Sequence, residues 1–107
     1  MILYRGGLQD AGLEYVMFGH IGDNHIHVNI LPRDQAEYER GRALYLAWAR
    51  QILSMGGTVS AEHGIGKLKV AMLREMYGEQ GIAEMRAVKC VFDPAWRLNR
   101  GNLFGEG

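Results

Sequence analysis

The chain has 107 residues, 48% of them hydrophobic, and its 12 basic side chains balance 12 acidic ones. That length holds a single domain with a buried core, and the balanced charge offers no footprint for nucleic acid. No apolar run approaches the roughly 18–20 residues that span a bilayer, and the N-terminus has no signal-peptide core. The lone cysteine, Cys90, excludes an internal disulfide and fits a reducing, cytoplasmic setting.

Residues 1–12 show little periodicity and read as a fraying strand or the end of a longer element. The stretch from Leu13 to His20 is rich in β-branched and aromatic residues and predicts a strand. Ile21-Gly22-Asp23-Asn24 carries turn chemistry. From His25 to Leu31 the pattern alternates, with His25, His27 and Asn29 on one face and Ile26, Val28 and Ile30 on the other. A β-hairpin follows, its second strand burying the aliphatic face. Asp34 and Glu37 form a capping-box pattern ahead of a helix over 35–54, with Leu44, Ala47, Trp48 and Gln51-Ile52 giving its apolar stripe. Gly56-Gly57 ends that helix, and Thr58-Val59-Ser60 reads as a short third strand. Two more helices follow, over 67–77 and 79–92, broken at Gly78 and stopped before Asp93-Pro94. The tail from Ala95 is irregular. The predicted fold class is α+β: a small antiparallel sheet with helices packed on one face. Cys90 reads as a packed thiol, Met72, Met76 and Met85 as core filler, and Trp96 as a cap on the core or a partner contact.

Two loops concentrate the chemistry. Three of the four histidines fall within Gly19-His20-Ile21-Gly22-Asp23-Asn24-His25-Ile26-His27, and the fourth lies in Ser60-Ala61-Glu62-His63-Gly64-Ile65-Gly66. His20 and His27 face each other across a tight turn, close enough to share one ion, and Glu62 adds a carboxylate. Two imidazoles and one carboxylate with open positions describe a catalytic metal site for Zn²⁺ or Mn²⁺, with Fe²⁺ a further candidate. His63 is then a base for a hydroxyl proton, and Asp23 an acceptor that orients a ligand imidazole. The plainer alternative is chance clustering or an adventitious metal patch.

The first of these stretches resembles the G-H-x-G-D-G-N-x-H segment of FAD-linked oxidases and dehydrogenases, the D-lactate, glycolate and D-2-hydroxyglutarate enzymes of the vanillyl-alcohol oxidase superfamily. The stretch from Gly57 to Gly66 is similar to their G-x-[IV]-S-x-E-H-G-x-G signature. Asp93-Pro94-Ala95-Trp96-Arg97-Leu98-Asn99-Arg100-Gly101-Asn102-Leu103-Phe104 resembles their closing D-P-x-x-x-L-N-P-G-K-x-F. The resemblance implies the ferredoxin-like half of the C-terminal domain. It implies metal ligands at His20, His27 and Glu62, a base at His63, and Asn99 near the flavin. The implied reaction takes the hydroxyl proton of a 2-hydroxy acid while its C2 hydride passes to FAD. Asn24 and His25 stand where the family has Gly and Asn. They are the candidate substrate contacts, with His25 either taking over that of the usual Asn or adding a ligand. Arg100 stands for the usual Pro, which loosens the tail.

The resemblance covers only the C-terminal part of a complete enzyme, and no glycine-rich pyrophosphate loop is present. The expectation is a fragment, residues 1–107, that is inactive until a flavin-binding domain is supplied in cis or in trans. Two alternatives stand beside it: a free-standing metal-binding module that partners a separate flavoprotein, and a structural domain whose open sheet edges form a homodimer. Peripheral membrane attachment through electron-transfer partners is the alternative to a cytoplasmic location.

Overall fold

In the computed structural model the described residues are 1–20 and 22–105. Ile21, assigned to the turn from sequence, and Glu106 and Gly107 of the tail lie outside them. The chain divides into two units, Met1–Trp48 and Ala49–Gly107, each with its own core. Among the described residues, three helices and a two-stranded antiparallel sheet make a small α+β fold.

The first unit opens with a helix, α1 (Ile2–Ala11), where weak periodicity left open a fraying strand or the end of a longer element; the strand is ruled out. Gly6 and Gly7 depress helix propensity and so hide it in the sequence. Packing supplies the reason for Gly7: a Cβ there would stand 3.1 Å from Trp48 Nε1 and 3.2 Å from Leu44 Cδ1. Gly12 closes α1 in the left-handed conformation, φ 65°. Strands β1 (Tyr15–His20) and β2 (His25–Ile30) then pair in the register Tyr15↔Ile30 through His20↔His25. Tyr15, Met17, Ile26, Val28 and Ile30 turn to the core, where they meet Leu8, Leu13 and Trp48. Tyr4 and Tyr45 pack edge-on against the Trp48 ring, with centroids at 4.8 and 5.6 Å. The Tyr45 hydroxyl donates to the Val28 carbonyl, tying α2 (Gln35–Ser54) to β2. Burial pushes that phenol above its ordinary pKa.

Helix α2 has the bounds its sequence predicts, because its cap forms. Asp34 Oδ1 accepts the Glu37 N–H at 2.8 Å, and Glu37 Oε2 accepts the Arg33 N–H at 2.8 Å. Arg33 also pairs with Glu14 at 2.7 Å. Ala47 is exposed, so the apolar stripe runs through Leu44 and Trp48 without it.

In the second unit no strand forms over 58–60. The Thr58 hydroxyl accepts the Ser60 N–H at 3.3 Å, a local turn that competes with strand pairing. The sheet therefore has two strands among the described residues, not three. Helix α3 (Val70–Phe92) starts later than the Lys67 expected, since residues 67–69 form turns and Lys69 gives no side-chain cap. It breaks at Gly78, φ 67°, where the sequence placed the break, and ends at Phe92. Ile65, Leu73, Ile82 and Phe104 form the core, with Val59, Met85 and Trp96 packed on it.

The expectation of a packed thiol fails. Cys90 is exposed, and its sulfur accepts the Trp96 indole N–H at 3.2 Å. Trp96 instead caps the core, edge-on to Phe104 at 5.9 Å, with Arg86 and Lys89 over its ring.

Candidate metal centre

The hairpin presents a second face, opposite the core. Strand alternation puts Val16, Phe18 and His20 of β1 there beside His25, His27 and Asn29 of β2. This face exposes 55% of Phe18 and 45% of Val16, so the hairpin buries one side only. Gly19 lets the strands meet: a Cβ there would collide with the His25 carbonyl oxygen. The turn closes with an Asp23 N–H to His20 carbonyl bond at 3.4 Å. Asn24 sits at φ 51°, a left-handed conformation that Asn and Gly tolerate. That turn demand accounts for an Asn where the resembled motif has Gly.

The three imidazoles come together. His20 and His25 are direct register partners, with ring centroids 5.4 Å apart. His25 and His27 lie 4.4 Å apart, and His20 and His27 6.0 Å. One ring nitrogen from each falls within 4.8 Å of the other two. Ligands at about 2.05 Å in a tetrahedral shell stand about 3.3 Å apart, so small side-chain rotations close this set around one ion. His27 lies across from Phe18, whose ring stacks on it at 4.9 Å and 15°, holding the imidazole plane. The donor set thus fits a divalent ion that accepts imidazole.

Sequence reasoning paired His20 with His27. The register makes His25 the direct partner of His20 and the neighbour of His27. The signal was present in the length of the turn, which decides which residues stand opposite.

Glu62 and His63 belong to the second unit, in the loop before α3. Both are exposed, and Glu62 Oε1 lies 4.0 Å from His63 Nε2. The end of this loop is tied to the tail: Gly66 accepts the Leu103 N–H at 2.9 Å, and Ile65 shares the core with Phe104. Asn99, at φ 47°, lines an open cleft of about 210 Å³ with Gly66, Lys89 and Asn102.

Asp93 is the residue whose role sequence reasoning missed, reading it as a helix stop and the first position of the closing motif. It is buried and accepts the Arg97 and Leu98 N–H groups, each at 2.9 Å, and the Lys89 ammonium at 2.8 Å. The Lys89 ammonium and these N–H donors hold its carboxyl down at about 2. Arg100, where the resembled motif has Pro, donates from Nε to the Trp96 carbonyl at 3.1 Å.

Fold and site together define an α+β domain with an imidazole-rich face on an exposed hairpin. The chain belongs to the family of FAD linked oxidases, C-terminal domain, which matches residues 4–103. It is 34% identical to the glycolate oxidase subunit GlcD of Bacillus subtilis, over 83% of this chain and 19% of that protein. It is 35% identical to a D-lactate dehydrogenase of Archaeoglobus fulgidus, over 89% of the chain and 21% of the relative. A D-2-hydroxyglutarate dehydrogenase of Xanthomonas citri is 40% identical over 91% of the chain and 22% of its own length. The chain thus spans about a fifth of each of these relatives. Among the described residues, no helix is long and apolar enough to cross a membrane.

Proposed function

We propose that the chain is the C-terminal, substrate-side part of an FAD-dependent oxidoreductase that oxidises a 2-hydroxy acid such as D-lactate or glycolate. The cluster of imidazoles on one exposed hairpin face carries this reading, within a family whose named relatives act on such acids. His20 and His27 hold a divalent ion, Zn²⁺ or Mn²⁺, and Glu62 joins them on the strength of its motif. When bound, the ion supplies positive charge for the substrate oxygens, and FAD, held by a flavin-binding domain in cis or in trans, supplies the hydride acceptor.

The chain's own residues do the rest. His63, next to Glu62 in the second motif, takes the hydroxyl proton on a ring nitrogen. Asn24 contacts the substrate from the hairpin turn, and Asn99 lies beside the flavin. The chain alone, without its flavin domain, reduces no dye.

The test is histidine NMR of the Zn²⁺-loaded chain. D-lactate or glycolate should shift the His20 and His27 ring signals, whereas propanoate, which lacks the hydroxyl, should shift them far less. Identical responses to hydroxylated and plain acids, or none to either, would contradict the reading.

A further inference from the structure

We propose that His25 is a third imidazole ligand of the hairpin site and sets its metal preference. The inference rests on the reading that His20 and His27 hold a metal. It goes beyond that reading in donor count and in the ion selected.

The argument is geometric. His25 lies closer to His27, at 4.4 Å between centroids, than His20 does at 6.0 Å, and it is the register partner of His20 at 5.4 Å. An ion shared by His20 and His27 therefore sits beside the His25 ring. One nitrogen of His25 already belongs to the group within 4.8 Å. Backbone pairing fixes the arrangement, since His20↔His25 is the last rung of the ladder and Gly19 brings the strands together just before it.

Chemistry turns geometry into selectivity. Imidazole donors favour Zn²⁺, Ni²⁺ and Cu²⁺, whereas Mn²⁺ prefers carboxylate, carbonyl and water oxygens. A third imidazole widens the gap between Zn²⁺ and Mn²⁺. Removing it narrows that gap.

The experiment loads the full chain and its His25→Asn variant with Zn²⁺ and counts imidazole scatterers by X-ray absorption. Zn²⁺ and Mn²⁺ affinities are measured in parallel by chelator competition. The amide keeps a polar side chain on the strand without a ring nitrogen. His25→Gln repeats the test should the first variant fold poorly, as judged by circular dichroism. Three imidazoles in the wild type and two in the variant are expected, with the Zn²⁺-over-Mn²⁺ preference falling about tenfold or more. An unchanged count and preference overturn the proposal, as does a variant that loses only its response to D-lactate, which would make His25 a substrate contact. His20→Ala and His27→Ala separate the two levels. If they lose metal while His25→Asn does not, the third ligand alone is wrong. If they too bind as wild type does, the metal reading itself fails.

Discussion

Asp93 shows how one buried carboxylate organises the closing motif. It ties the end of α3 to the tail by accepting from two backbone N–H groups and from Lys89, whose ammonium also donates to the Leu98 carbonyl. Its pKa falls from an ordinary 3.8 to about 2, chiefly through the Lys89 hydrogen bond and then through the two backbone donors. A carboxylate with a depressed folded pKa stabilises the fold above its unfolded pKa, and that stability drains away as pH falls through the folded value. The contribution is therefore complete above about pH 4 and lost on the way to about pH 2. Denaturant midpoints measured from pH 5 to pH 2 should fall with pH in the wild type. Asp93→Asn should be less stable at pH 5 and show a flatter slope. An equal slope in the two proteins would mean that Asp93 does not carry this dependence.

At the scale of elements, the hairpin is where sequence and structure meet most closely. Alternation from His25 to Ile30 was legible because one face is apolar and the other is not, and the strands put Val28 inward and the imidazoles outward. The partner of each histidine was not legible, because register depends on turn length and on close approach at Gly19. That closeness makes a prediction. Gly19→Ala drives a methyl group into the His25 carbonyl, so the pair must part or slip, at a cost of about 1–3 kcal/mol in stability. Zn²⁺ affinity should fall with it, since His20 and His25 share the adjacent rung. Chemical denaturation and chelator competition on this one variant check both, and unchanged values would remove register from the account. Helix α2 was legible to the residue through its caps, Asp34 and Glu37 at one end and Gly56-Gly57 at the other. Helix α1 was not, because Gly6 and Gly7 lower its helix propensity, and Gly7 does so in exchange for close packing on Trp48. The absent third strand has a local cause in the Thr58 hydroxyl, a competition that β propensity does not register.

At the scale of the whole molecule, the chain joins a hairpin unit bearing His20, His25 and His27 to a helical unit bearing Glu62, His63 and Asn99. Each motif is held by its own core: the first by Leu8, Leu13, Val28 and Trp48, the second and closing motifs by Ile65, Leu73, Ile82 and Phe104. The fold alone would not name a chemistry, since α+β domains serve many. The site and the family narrow it, and the chain spans about a fifth of the length of these relatives. The central claim is that the hairpin is a metal site. Its most direct test is the metal content of the purified full chain by mass spectrometry, with His27→Ala alongside. The account expects close to one divalent ion per chain, Zn²⁺ first, and its loss from the variant. No metal in the wild type even after soaking, or equal metal in both proteins, would contradict it.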